Sequence, residues 1–373
     1  MQSIFSNALS RAVAKHIGLS ATRRETLSWL ALLIMQHGTI SLWRLAAYVA
    51  SATQIASVRR RFYRFFQFVK IDGGLAARVV VELLQLGGKS WVLAIDRTNW
   101  DFGKTTINIL MVSVAWNGKG IPLIWMVLPA AGNSNTSERT GLLDRLRATF
   151  PDLKIAALMG DREFIGDAWM AFLHREKIPF ILRLRENQHV LREGYAAMPI
   201  SLIAQHLKVR EKMIVKGCCW LGCQNETLSS SVRLVVMRLA SGELLALACS
   251  RNPRHALAAY RQRWTIESMF ANLKTKGFAL EATHLTDSGK LCTLLALMAF
   301  AVALTVKTGV AMARLQPIPI KHHGRRAWSL FALGLNTLRK IFAAANPDQI
   351  IAFLDQLLSP KLPVQSLRFL AFR

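Results

Sequence analysis

The sequence predicts an α/β protein: a helical N-terminal region, then a core in which strands and helices share a mixed sheet, interrupted by a small β-rich insertion. Three observations point there. Near residue 88 the hydrophobic pattern changes from helical to strand-like and then runs strand, strand, strand, helix, strand, helix, strand. Apolar residues are 52% of the 373-residue chain, enough for a sizeable core and too many for a disordered basic tail. Lys and Arg number 48 against 22 Asp and Glu, a net charge of +26 that on a well-cored protein implies a polyanionic partner. Nucleic acid is the first candidate and an anionic membrane surface the second.

Residues 1–85 read as an all-helical DNA-binding region. Thr22 to Gln36 forms an amphipathic segment stopped at His37-Gly38. Thr39-Ile40-Ser41 offers the N-cap region of a second helix reaching Ala50, and Ser51-Ala52-Thr53 a short turn. A third helix carries Ser57 to Phe66. Helix, short turn and basic helix make the outline of a helix-turn-helix. Arg59, Arg60, Arg61 and Arg64 are then placed to meet phosphates, with Phe62, Phe65 and Phe66 packing inward. A solvated basic face on a small helical bundle has the same pattern.

Residues 88–187 supply the first part of the core. Its strands are Trp91–Asp96, Thr105–Trp116, Ile121–Leu128, Ile155–Asp161 and Pro179–Leu184, with a hairpin turn at Asn117-Gly118-Lys119-Gly120 and helices over Ser137–Phe150 and Phe164–Lys177. That order is the ribonuclease-H-like one, a mixed sheet with helices on both faces. Residues 188–250 are the β insertion, with strand-like stretches at Lys212–Val215, Val232–Leu239 and Leu244–Cys249. Residues 251–310 complete the core with one long helix, Ala256–Leu273, and an apolar one, Leu291–Val306. Residues 311–373 form a C-terminal helical region, with helices over Ala327–Ala345 and Asp348–Leu357. The apolar stretch from Leu291 to Val306 is 16 residues, short of the roughly 20 that cross a bilayer, so a buried core helix is expected and no membrane partner. Met1–Ser20 lacks the apolar run of a signal peptide; its Arg11 and Lys15 without an acid leave a transit peptide as the lesser alternative to a cytoplasmic location. Five cysteines suit a reducing compartment. Cys218, Cys219 and Cys223 crowd together, but no second pair completes a zinc site.

The chemistry lies in three acids. Asp96 and Asp161 each end a strand, and in this order of elements the first and fourth strands are neighbours, so both carboxylates can reach one site. Two carboxylates that close repel unless a cation lies between them, and hard oxygen donors suit Mg²⁺. An aspartate at a strand end can also do no more than cap a loop. On the helix that follows the insertion, Tyr260, Arg263, Glu267 and Lys274 fall within an arc of roughly 60° at about 100° per residue. One face therefore offers a carboxylate flanked by a phenol and two cations, with Trp264 beside them. A solvated charged face is the plainer alternative.

Tyr260-x2-Arg263-x3-Glu267-x6-Lys274 resembles the YREK signature of the insertion-sequence-four family of bacterial DDE transposases. Asp96-Arg97-Thr98 is similar to that family's first-Asp motif, and Gly160-Asp161-Arg162-Glu163-Phe164 to its second. The resemblance covers residues 88–310 well and the N-terminal helices loosely. It implies metal-dependent cut-and-paste transposition, with Asp96, Asp161 and Glu267 binding two Mg²⁺ ions, for which Mn²⁺ can substitute. One ion would activate water and the other stabilise the leaving 3′ oxygen, and the freed 3′-OH would attack the opposite strand or the target. Tyr260, Arg263 and Lys274 would match phosphate holders at the transposon end, where relatives form a hairpin. Relatives also flip a base onto a tryptophan of the β insertion, for which Trp220 is the candidate here, with a sheet-face Trp as the alternative. The implied partners are double-stranded DNA, as terminal inverted repeats and target, and a second copy of the chain in a synaptic homodimer. The implied setting is the bacterial nucleoid. A nuclease on the same fold and a non-catalytic DNA-binding regulator are the competing readings.

Overall fold

Among the residues described by the computed structural model (8–49, 54–221, 231–322, 324–344 and 347–358), eleven strands join in one mixed sheet. The chain first lays down five helices: α1 (Ala8–His16), α2 (Ala21–His37), α3 (Leu42–Ala47), α4 (Ile55–Phe68) and α5 (Gly73–Leu84). The predicted turn at Ser51–Thr53 lies outside the described residues. Phe62, Phe65 and Phe66 of α4 are buried, as their spacing requires. The amphipathic pattern expected of α2 is not what it uses. Every residue from Thr26 to Met35 is buried, because α1, α4 and two C-terminal helices enclose it.

The first part of the core follows the expected order: β1 (Ser90–Phe102), β2 (Thr105–Trp116), β3 (Lys119–Leu128), α6 (Thr136–Thr149), β4 (Lys154–Gly160), α7 (Asp167–Arg175) and β5 (Phe180–Leu184). Asn117 and Gly118 both take positive φ, 49° and 71°, as a two-residue hairpin between β2 and β3 demands. β1 pairs antiparallel with β2 and parallel with β4, and β4 pairs parallel with β5. The first and fourth strands are thus neighbours. Helix α7 starts three residues later than its apolar pattern suggests, since Glu163 is held in a loop by hydrogen bonds to Arg97 and Ser134.

The insertion contributes β6 (His189–Arg192), β7 (Tyr195–Pro199), α8 (Ile200–Ile203), β8 (Lys212–Ile214), β9 (Cys219–Leu221), β10 (Ser231–Arg238) and β11 (Leu244–Cys249). It continues the core sheet: β11 lies antiparallel on β5, and the order runs β3-β2-β1-β4-β5-β11-β10-β9-β6-β7, with β8 also on β10. Cys218, Cys219, Cys249 and Cys292 are free thiols, and Cys223 lies outside the described residues.

The single long helix expected over Ala256–Leu273 is broken. Its pieces are α9 (Ala256–Tyr260), a 3₁₀ turn at Arg261–Arg263 and α10 (Trp264–Leu273). A 3₁₀ turn advances about 120° per residue rather than 100°, so the wheel that placed Tyr260 on one face with Glu267 does not hold. The chain ends with α11 (Ser288–Leu315), α12 (Leu330–Ala344) and α13 (Pro347–Leu358). By length and composition α11 could cross a bilayer, yet 83% of its most apolar window is buried inside the protein, against α2, α5, α12 and β3. It is the core helix the sequence suggests. Gly309 and Gly334 let α11 and α12 touch backbone to backbone, for a Cβ on either would lie 1.8 Å from a carbonyl oxygen of the other helix.

Candidate active site

Asp96 and Asp161 meet where two strands part. The β1–β4 ladder ends at Ala94 opposite Met159, and each aspartate lies two residues further on. With a strand period of two, both side chains fall on the same face at the same level. Asp96 is not strand-terminal, because β1 continues beyond it with β2 as far as Phe102.

The fork is tightly held. Asp96 Oδ1 accepts a hydrogen bond from the Arg97 amide at 2.7 Å, and Asp161 Oδ1 accepts one from the Glu163 amide at 2.9 Å. The Arg97 guanidinium donates from Nε to both oxygens of Glu163 at 2.9 Å and reaches Asn108 and Asn133 with its other nitrogens at 3.0 Å. Glu163 also accepts from the amide and hydroxyl of Ser134, at 2.9 and 2.8 Å, and buried Arg139 donates to the same Ser134. Burial alone would raise the Glu163 carboxyl, but the Arg97 and Ser134 hydrogen bonds outweigh it and hold the group below its ordinary value. Each motif thus carries, beside its aspartate, the charge that locks it to the other. In the sequence the only sign of this pair is the opposite charge of Arg97 and Glu163 in the two motifs. Asn108, Asn133, Ser134 and Arg139 carried no signal of their own.

Glu267 comes from α10, which Gly120 admits against β3: a Cβ there would lie 2.5 Å from the Thr265 carbonyl oxygen. Arg263 joins α10 to β1. Its guanidinium pairs with Glu267 and lies 3.7 Å from Asp96 Oδ2. Asp96 is 16% exposed, and its carboxyl is pushed up to about 7, by burial first and then by the negative charges of Asp161 and Glu267. The site is short of positive charge. Among the described residues no three acidic, His or Cys side chains are grouped tightly enough to hold an ion as placed, and Arg263 lies between Asp96 and Glu267.

The remaining predicted residues separate. Tyr260 does not offer its hydroxyl to a phosphate. It is buried, donates to the Gly160 carbonyl at 3.2 Å, and burial raises its pKa well above the ordinary value. Lys274 donates to the Asn99 carbonyl at 2.9 Å and pairs with Glu281 at 2.8 Å, tying the end of α10 to β1. Trp220 is half-buried in β9, between Ser231 of β10 and Leu191 of β6. Four strand steps separate β9 from β4, about 19 Å at the usual spacing, so Trp220 does not join the carboxylates. Trp264, next to Arg263 in the chain, is an exposed aromatic, 65% accessible. Arg59 stacks on Trp43 and Tyr63, Arg60 is exposed, and Arg61 is engaged with α2.

The profile of the family described as Transposase DDE domain matches residues 87–304, more than half of the chain. The chain belongs to the DDE transposase family. It is a DNA transposase, and members of this family generally use divalent metal ions. No curated protein sequence matches it. In structure this transposase is similar to the piggyBac transposase synaptic complex with hairpin DNA, at 13% identity and a TM-score of 0.45 over 97% of this chain and 84% of that one. It is also similar to an endonuclease V from Bacillus subtilis, at 10% identity and a TM-score of 0.24 over 55% of this chain and 81% of that one. Both likenesses are distant, and family membership follows from the sequence match.

Proposed function

We propose that this DDE transposase is of the insertion-sequence-four type and moves an insertion sequence by cut-and-paste chemistry, with Asp96, Asp161 and Glu267 as its acidic triad. The observation that carries the reading is the convergence of Asp96 and Asp161 at the fork between β1 and β4, with Glu267 linked to it through Arg263. The order β3-β2-β1-β4-β5, with β1, β4 and β5 parallel, supports a ribonuclease-H-like core.

The donor set fits divalent cations. All three ligands are carboxylates, and the nearby Arg263 guanidinium does not offset the burial that pushes the Asp96 carboxyl up. Asp96 and Asp161 would hold Mg²⁺, or Mn²⁺ in its place, and Glu267 would complete the set for two ions once Arg263 lets go of it. When bound, the ions make water a better nucleophile and stabilise charge on the leaving 3′ oxygen. The chain's own residues position the acids: Tyr260 braces Gly160 beside Asp161, the Arg97–Glu163 pair locks the two loops, and Lys274 anchors α10. Arg263, once released, becomes a guanidinium facing DNA phosphate. The N-terminal helices recognise the transposon end, with Arg59 and Arg60 toward the DNA, and Trp220 receives an unstacked base from the insertion side. The partners are terminal inverted repeats, target DNA and a second copy of the chain, in the bacterial nucleoid.

The test uses purified protein, a labelled duplex carrying the element's terminal repeat, target DNA and Mg²⁺ or Mn²⁺. Nicking at the repeat boundary followed by joining to target is expected. Nicking without joining would make the protein a nuclease, and binding without either a regulator. A triad Ala variant with parent-level cleavage would remove that residue from the triad.

A further inference from the structure

Between α2 and α4 runs an open groove of about 430 Å³ lined by Arg23 of α2 and by Arg60, Arg61 and Arg64 of α4, with the hydroxyls of Thr22 and Ser57 at its walls. Its lining contains no carboxylate. Four guanidinia around one groove repel one another unless some are paired, and only one of them is. Arg61 pairs with Glu25 at 2.8 Å, donates to the Thr26 hydroxyl at 2.8 Å and to the Thr22 carbonyl at 3.2 Å, and stacks over Trp29 at 4.4 Å. It is a strut that fixes α4 against α2. Arg23, Arg60 and Arg64 are exposed and have no carboxylate partner among the described residues.

We infer that Arg23, Arg60 and Arg64 form a clamp for the phosphodiester backbone of one DNA strand, held open by the Arg61 strut. Arg60 and Arg64 stand one turn apart on α4, about 6 Å along its axis, so neighbouring phosphates of one strand can be met together while Arg23 closes from α2. Guanidinium is the side chain suited to phosphate, and the hydroxyls add neutral donors. Guanidinia free of carboxylates suit phosphate, and phosphate contacts carry no sequence information. The clamp is therefore indifferent to sequence: Arg60 adds backbone affinity to end binding, and discrimination of the end falls to other residues of the same helices. It rests on DNA being the substrate.

Two duplexes of equal length test it, one carrying the element's terminal repeat and one scrambled, with binding measured across a salt titration. For the parent, log K should fall with log salt on both. In the triple variant R23Q/R60Q/R64Q the slope should drop by about 2.7, at roughly 0.9 per lost phosphate contact, equally on both duplexes. Thermal unfolding should stay at the parent temperature, because all three side chains are exposed. The lysine replacements R60K and R64K keep the charge and should retain most of the slope. A slope unchanged in the triple variant, while the parent binds both duplexes, would overturn the clamp and leave the transposase reading standing. A loss confined to the terminal-repeat duplex would also overturn it, in favour of base readout.

Discussion

At the fork between β1 and β4 the protein gathers Asp96, Asp161 and Glu267 and sets the Arg263 guanidinium against two of them. Between α2 and α4 it gathers guanidinia and lines the groove with no carboxylate. The first site is mostly buried, so its charge imbalance is felt at low dielectric and the protein must compensate it internally. The second is open, so water and salt screen it at little cost. Substitution should therefore cost most at the fork and least in the groove.

The largest effect belongs to the acids. Asp96→Ala, Asp161→Ala and Glu267→Ala should each lower cleavage and strand transfer by on the order of 100-fold or more, since a misplaced or missing ligand disrupts the reacting geometry. DNA binding should persist. Without divalent cations Asp161→Ala should melt no earlier than the parent, because clustered like charge has been removed, whereas Glu267→Ala gives up its pair with Arg263 and should melt earlier. Parallel cleavage assays and thermal melts of the same preparations check both halves.

Removing the compensating cation should do the reverse. Arg263→Ala takes the ion-pair partner from Glu267 and leaves Asp96 only the Arg97 amide, and should cost about 2 kcal/mol of metal-free stability, less than a fully buried pair because Glu267 is partly exposed. Mn²⁺ should restore part of that loss and should stabilise the parent less. Urea unfolding with and without Mn²⁺ measures the difference. Equal stabilisation of both proteins would break the link between Arg263 and the cation site.

Lys307 sharpens the comparison, being a buried cation that neither site uses. Its ammonium donates to the Leu83 carbonyl at 2.6 Å, and burial lowers its pKa from 10.5 to about 8. The folded state thus disfavours the charged form. The penalty is full below pH 8 and is relieved as pH rises from about 8 to 10.5, so this group makes stability increase over that window. Lys307→Met should stabilise the protein at pH 7 by about 2 kcal/mol, the desolvation relief less one lost hydrogen bond. The advantage should vanish near pH 10.5, as paired denaturation curves at the two pH values would show.

The smallest contrast lies within one run of arginines. Arg61→Ala should cost about 1 kcal/mol through its ion pair, hydrogen bonds and stacking, while Arg60→Ala should change stability by less than about 0.5 kcal/mol. Equal losses in thermal melts would remove the distinction between strut and ligand.

Much of this architecture was legible because local rules agreed with it. Asn117-Gly118 dictates its hairpin, and the strand–helix alternation places β1 beside β4. The buried phenylalanines of α4 fall where helical spacing puts them. What stayed hidden depends on contacts distant in sequence. Arg59, Arg60 and Arg61 are indistinguishable in the chain, and only the packing of α2 makes one of them a strut. Tyr260 reads as a surface phenol until the 3₁₀ turn carries it under Gly160. Asp96 looks strand-terminal because the apolar run stops there, whereas β2 keeps β1 extended for six more residues. The asparagines and serine around Arg97 are ordinary polar loop or strand residues until the fold brings them to one guanidinium.

The union of β11 with β5 has a consequence for how such a protein can change. An insertion that folded apart could be shortened or deleted without harm to its host. Here its last strand covers the flank of β5, so deletion would leave the N–H and C=O groups of β5 that face β11 unpaired along an apolar margin. An open sheet edge of that kind recruits other chains. Trimming residues 188–250 would then yield an aggregating core rather than a smaller enzyme, which makes the insertion a fixed part of the scaffold whatever it contributes to DNA.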